Sequence, residues 1–522
     1  MTALPFAAPL VLLTSTVTPG LFDETEIPSS VQTATASAGL FGEEPNPPAP
    51  SAEPAFSPRV TWQIQLDAQT AIDTSFDRRG EHVFELLLGG RFSLDADLTE
   101  ELSARASPSF VSVTAIAREG QDREFLYLDV PEAYVQWAHG PLHVRVGTLV
   151  FNWGSSDLVA PADVLNPPDL RRTIVANPAE SKIPVLAAEA VGHLGPLTLR
   201  GVFEPFFTPG RFFVNGWDSG VAQILTAQGV ALPDLTQAFG VPVADRFADQ
   251  LLAFDRPSDR PDHFTLGLRG TLELSDLLLS FTFVHGYEHF PKVIIDPNLI
   301  TVASAFLDNV TLGKAIPFSD PTFGDAFSKL ETALQRGEKL FGGEYPRRTL
   351  FGMDATYALD PVVLKLDVAY TLSRTLYTQA FTPVGLPWLD LVAGVDYSWG
   401  EHLFLTVEGF ALAVFQVPND VRLALFEARS AAPGGGGTRA VFLPGMSAGG
   451  RLSLLDGQLL VEMGFATTFS RGDLIFSPTV RWKPNDHHTL SLSGIAIEGH
   501  PDGYGGIYSH NDQLILGYRF TL

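Results

Sequence analysis

Residues 513–522 read QLILGYRFTL, the last ten of the chain. Leu514, Leu516, Tyr518, Phe520 and Leu522 fall on one face of an extended strand. Gln513, Gly517, Arg519 and Thr521 fall on the other, where Ile515 is the one apolar exception. This is period-2 alternation running to the final residue. An apolar terminal strand left as a sheet edge invites aggregation. A closed barrel in lipid needs such a strand, because pairing it with the first strand removes the edge.

The same pattern recurs upstream. Trp62, Ile64 and Leu66 alternate with Gln63, Gln65 and Asp67; Leu364, Leu366 and Val368 alternate with Lys365, Asp367 and Ala369. The segments have the length of a tilted strand crossing hydrocarbon, longer than sandwich strands. Tight turns are read at Ala138–Pro141, Leu194–Pro196, Ser275–Asp276, Leu359–Pro361, Gly400–His402, Asp456–Gly457 and Pro484–Asp486. They take turns with connections of very uneven length. The pattern predicts an all-β membrane protein: a closed up-and-down antiparallel barrel of about eighteen strands, or sixteen if the segment at Pro131 is bulged, with short turns in the periplasm. Trp62, Trp137, Tyr357, Trp399 and Trp482 lie near short-turn ends, where an aromatic girdle belongs. The chain's ending also resembles the C-terminal assembly signal of bacterial outer-membrane proteins, through Gly517, Phe520 and Leu522.

Composition agrees. The chain has 522 residues, 38 of them Phe, and no cysteine, which excludes disulfides and thiolate metal sites. No run of about eighteen apolar residues offers a membrane helix. A net charge of −25 argues against nucleic-acid binding. Residues 1–22 are expected to be an atypical signal segment, 23–58 an unstructured Pro/Ala-rich periplasmic arm, and 59–522 the barrel. The expected partners are outer-membrane lipid and lipopolysaccharide, the barrel assembly machinery, and periplasmic or outer-membrane components of a larger complex. No cofactor is expected.

With the apolar face outward, Arg91, Arg105, Arg145, Arg200, Arg269, Lys365, Arg451, Arg481 and Arg519 point into the lumen near its periplasmic end. Such a belt attracts anions, or it serves cross-strand ion pairs with wall carboxylates. Inward acids, among them Asp354, Asp367, Asp390, Glu408 and Glu462, are expected further up.

The segment from Val144 to Arg172 departs from the strand pattern. Pro161, Pro167 and Pro168 forbid a regular strand. Asp157, Asp163, Asn166 and Asp169 suit turns and caps, and their oxygens also suit Ca²⁺, although no fixed calcium-loop spacing is present. Residues 152–182 therefore read as a loop folded into the pore, with Arg171 and Arg172 tied to wall carboxylates or exposed to solute. The pattern Trp153-Gly154, Asp157, Asp163, Asn166-Pro167 and Asp169, with Gly147, Glu132 and Ala133 upstream, resembles that of a large porin-like family of proteobacterial outer-membrane barrels. That resemblance implies a channel or a partner of exporters for hydrophobic compounds.

Connections 207–262 and 290–348 carry helical patterns, such as Phe327, Leu330 and Leu334 on one face. They are expected to pack together as a helical extracellular cap or to drop into the barrel. No G-x-S-x-G, HExxH or phosphate loop is present, so an enzyme is not expected. The sequence reads as a channel passing small or amphipathic solutes through a constricted lumen. The alternative is a non-conducting anchor of an envelope-spanning assembly for polysaccharide export or motility.

Overall fold

The structure is a computed structural model. It describes residues 57–74, 82–117, 123–156, 160–169, 181–211, 256–257, 260, 263–302, 305, 320–338, 341–379, 382–427, 432–500, 503, 505–509 and 512–522. The signal segment 1–22, most of the arm 23–58 and most of connection 207–262 lie outside them, as do Asp157, Arg171 and Arg172.

Twenty strands form one sheet. They are β1 (Arg59–Asp73), β2 (His82–Asp97), β3 (Leu102–Ala106), β4 (Ser109–Ala117), β5 (Arg123–Asp129), β6 (Ala133–His139), β7 (Leu142–Leu149), β8 (Val185–Leu194), β9 (Leu197–Glu204), β10 (Thr265–Leu274) and β11 (Leu277–Tyr287). A hairpin of β12 (Lys292–Ile295) and β13 (Phe341–Glu344) stands apart from the sheet. The sheet resumes with β14 (Arg347–Leu359), β15 (Val362–Tyr377), β16 (Pro383–Trp399), β17 (Leu403–Pro418), β18 (Thr438–Leu454), β19 (Leu459–Thr468), β20 (Asp473–Asn485), β21 (His488–Glu498) and β22 (Gln513–Thr521).

Every sheet strand pairs antiparallel with its neighbours, and β22 pairs with β1, which closes the sheet on itself. The seam runs to the terminal residue: Leu522 and Ile64 exchange backbone hydrogen bonds, each 2.9 Å. β2 pairs first with β3 and then with β4; β3 pairs with β6, and β4 with β5. β3 with β4, and β5 with β6, are thus two halves of one stave each, so the twenty strands make eighteen staves. The breaks fall at Ser107–Pro108 and Val130–Glu132, where proline cannot donate to the ladder. The Ser107 N–H donates across the gap to the Glu132 carbonyl at 2.7 Å.

The turns at one end are short and match the sequence-expected positions. Gly140 and Gly195 hold φ of 54° and 62°, a left-handed conformation that a side chain disfavours. The long connections gather at the other end, the extracellular one by the rule for such barrels. Alternation sorts the side chains. Trp62, Leu66, Phe281, Met463 and Leu516 lie exposed on the outer face, as a lipid-facing band requires. Trp137, Tyr357, Trp399 and Trp482 are exposed near the short-turn end, in the girdle position. Ile515, the apolar exception in the terminal strand, is 2% exposed and faces inward into an apolar cluster.

Candidate functional site

The inner wall changes character along its length. Its periplasmic half carries the charges. Arg145 meets Glu189 at 2.5 Å and lies over the Tyr134 ring, and Arg200 reaches the same carboxylate at 3.3 Å. Arg269 meets Asp354 at 2.8 Å and also donates to Ser280 and Thr282. Lys365 pairs with Asp396 at 2.9 Å, Arg481 with Glu462 at 2.9 Å, Arg519 with Asp67 at 2.6 Å, and Arg105 with Glu132 at 2.9 Å. Seven of the nine basic residues singled out from the sequence are therefore ion-paired to wall acids. Arg91 has no carboxylate partner among the described residues, and Arg451 completes the set on β18. Acids and bases stand side by side at this level, because a buried charge needs a counter-charge within reach.

Toward the extracellular end the inner face of β16 to β18 and of β21 is largely apolar. Leu386, Trp388 and Val392 on β16, Phe410 and Leu412 on β17, Leu443 on β18 and Ile497 on β21 are all buried. Sequence reading missed this face. The available signal was the decay of alternation into continuous apolar runs near the long connections, as in LPWLDLV (386–392) and FALAVF (410–415). Segments of the long connections fill the space. The helix α1 (Pro321–Gln335) contributes Phe323, Ala326 and Leu330, β12 contributes Val293, and connection 419–437 contributes Leu423, Leu425 and Phe426, all to one cluster with the wall. Phe426 meets the Trp388 ring edge-on at 5.3 Å, and the Arg374 guanidinium lies 4.2 Å over that ring.

The connection after β7 folds inward along the opposite wall, and its sequence motif holds it there. Gly147, at φ 150°, leaves no room for a Cβ beside the Ala133 carbonyl, so β6 and β7 approach closely just before the loop. Asn166 is buried and ties the loop's neck. Its Oδ1 accepts from the Phe151 N–H at 2.6 Å, and its Nδ2 donates to Leu149 and Ile183 carbonyls at 3.1 and 3.0 Å. Asp163 pairs with Lys182 and accepts from the Trp153 N–H. Lys182 also donates to the Phe151 carbonyl at 2.8 Å. Trp153 lies 2% exposed against Gly267 of β10, where an added Cβ would stand 2.8 Å from the indole. Asp169 sits 3.7 Å from Arg211, which is bound to Asp129 at 3.0 Å. Asp163, Asn166 and Asp169 thus engage backbone and cations of their own chain. Among the described residues no group of three or more His, Asp or Glu is placed to hold a metal ion.

Four contacts that the sequence did not mark complete the docking. The Ser155 N–H donates to Asp367 of β15 at 3.3 Å, and its hydroxyl donates to the Leu366 carbonyl. The Val164 carbonyl accepts from Arg348 at 2.8 Å and from His289 Nε2 at 2.9 Å. Burial and the neighbouring Arg348 charge hold the His289 imidazole down to about 3, so it stays neutral and can donate without adding a second charge. Beside it, burial pushes the Glu288 carboxyl above its usual range, against the Thr375 N–H and the Arg374 and Arg348 charges that favour its ionised form. These groups are far apart in sequence, and no local spacing announces them.

A closed barrel with an apolar exterior and paired polar groups within belongs in an outer membrane. The chain is similar to several solved structures. Pseudomonas aeruginosa OccK5 (OpdH) aligns at 9% identity and a TM-score of 0.44, covering 89% of this chain and 98% of that one. Acinetobacter baumannii OccAB4 aligns at 7% identity and a TM-score of 0.46, with 89% and 98% covered. Salmonella typhi OmpF in complex with daunomycin aligns at 9% identity and a TM-score of 0.37, with 89% and 97% covered. No curated protein matches the chain. A family model described as "Protein of unknown function (DUF1302)" matches residues 61–372, including the inward loop and its motif, and the chain belongs to that family.

Proposed function

We propose that this barrel is an outer-membrane channel for small amphipathic solutes, with the inward loop narrowing its lumen. The observation that supports the reading is the two-part inner wall: ion-paired and polar near the periplasm, with an apolar face on β16 to β18 toward the outside. A purely ionic solute gains nothing from the apolar face, and a purely apolar one meets charges near the periplasm. A solute with both characters matches each in turn. Planar-bilayer recording of the purified protein tests this. Stepwise current that grows when Asp157–Lys182 is deleted supports a channel. A barrel that stays silent before and after the deletion supports the second reading, a non-conducting anchor. That reading draws on the filling of the extracellular mouth by α1 and residues 421–427.

A further inference from the structure

On the inner wall like charges meet across neighbouring strands: Arg200 opposite Arg269, each bound to an acid, and Asp354 opposite Asp367. Arg145–Glu189–Arg200 and Arg269–Asp354 are ion-paired contacts, and Arg374 faces Asp390 at 3.9 Å. Between the last two stands Asp367. It is a direct cross-strand partner of Asp354, and Asp390 lies one diagonal step further, opposite Ala369. Like charges directly opposed on neighbouring strands destabilise a sheet. Asp354 is bound to Arg269 and Asp390 faces Arg374, whereas Asp367 makes no ion pair among the described residues. Its one hydrogen bond is from the Ser155 N–H of the inward loop. Asp354 and Asp367 are 2% and 0% exposed, and each has one oxygen, Oδ2 and Oδ1 respectively, without a hydrogen-bond partner.

We propose that Asp367 carries a proton directed at Asp354, and that this proton latches the inward loop to the far wall. Protonating Asp367 removes the like-charge repulsion with the opposed Asp354. The groups facing Asp367 are Asp354 from β14, Arg269 from β10, Asp390 from β16 and the Ser155 amide from the loop. Only Arg269 is positive, and it is already committed to Asp354. Raising the pH removes the proton to lumen water and leaves two opposed charges under the loop. The sheet is closed and cannot part its strands, so the loop is the element that yields. This latch rests on the channel reading and gives it a regulator.

The test is bilayer recording from about pH 6.5 to about pH 9, far above the range in which His289 titrates. Open probability is expected to rise through the transition by up to roughly tenfold per pH unit, the slope of one proton. Asp367→Asn keeps the acceptor for Ser155 and offers an amide to Asp354, so it stays shut across the window. Asp367→Ala removes the acceptor and stays open. Heat-modifiable gel migration verifies that each variant is a folded barrel. A wild type that conducts without pH dependence overturns the latch and leaves the channel standing. If every variant is silent, the channel reading falls, and a single-cysteine variant then decides the latch. The chain has no cysteine of its own, so labelling of Ser155→Cys, normalised to the denatured protein, reports the loop alone. Labelling that rises with pH, and does not when Asp367→Asn is added, upholds the latch; labelling indifferent to pH overturns it.

Discussion

The lumen is filled from two sides by different balances of polar and apolar contact. The inward loop lies against β10, β14 and β15. Directed polar contacts hold it, with Asn166 at its neck, Lys182 on Asp163, Ser155 on Asp367, and Val164 under Arg348 and His289, and Phe151, Trp153 and Leu165 are buried in a small apolar cluster with Val202, Val284 and Leu350. The outer fill, α1 with residues 421–427, lies on β15 to β18. Burial of Phe323, Leu330, Leu423 and Phe426 against Leu386, Trp388 and Leu412 in a larger apolar cluster holds it, and Glu427, paired with Arg422 and Arg439, adds one polar clamp. Polar contacts fix a position and respond to protons, whereas apolar contacts tolerate sliding and respond to cavities. The difference suggests that the polar side is built to be released and the apolar side to seal.

The sharpest way to break the contrast is at Trp388, which is fully buried and touches both Phe426 and Arg374. Trp388→Ala is expected to cost about 3–5 kcal/mol of barrel stability. It should also loosen residues 421–427 without freeing the inward loop. Thermal unfolding in detergent, with protease mapping of both segments, checks this. If the inward loop becomes protease-sensitive first, the two fills are one unit and the contrast fails.

Next in size is Asn166→Ala. It strands the Phe151 N–H and the Leu149 and Ile183 carbonyls, at a cost of roughly 2–3 kcal/mol. Here the inward loop alone should become protease-sensitive and channel current should rise. The outer fill, which shares no partner with Asn166, is expected to keep its protection. Loss of protection on both sides would show that the neck of the loop supports the whole mouth.

The sequence announced these two sides unequally. The wall was legible because each stave must satisfy lipid on one face and water on the other, and that demand writes a period of two into residues such as Leu514–Leu522 and Leu364–Val368. The Pro131 break was anticipated, and the one at Pro108 was not, since a single proline leaves the flanking alternation intact. The inward loop was legible as an interruption of that period, through Pro161, Asn166 and Pro167. Its docking was not, because Ser155 meets Asp367 and Val164 meets Arg348 across stretches that only barrel closure brings together. Period alone puts the nine basic residues on one face, and seven of them meet wall acids in the structure. Their carboxylate partners depend on register between strands, which period does not specify.

The smallest expected effect is the most discriminating between the two sides, because it needs no deletion of contacts. His289 is buried and its imidazole is held down to about 3, so the neutral ring that donates to Val164 is favoured by the docked loop. A group depressed in this way contributes its full stabilisation above the ordinary histidine value, near 6.5, and loses it progressively as the pH falls toward about 3. Mild acid should therefore loosen the inward loop, at the opposite end of the pH scale from loss of the Asp367 proton. His289→Gln keeps a donor for Val164 but cannot titrate, and it should abolish the acid response while leaving behaviour at neutral pH unchanged. Protease sensitivity of the loop, compared at about pH 7 and about pH 4.5, reads this directly. The outer fill offers an internal reference: Phe323, Leu330, Leu423 and Phe426 do not titrate, and against the penalty of burial Arg439 and Arg422 hold the Glu427 carboxyl below its usual range, so residues 421–427 should be equally protected at both values. An acid response shared by both segments, or one that survives in His289→Gln, would assign the effect to general loosening of the barrel rather than to this ring.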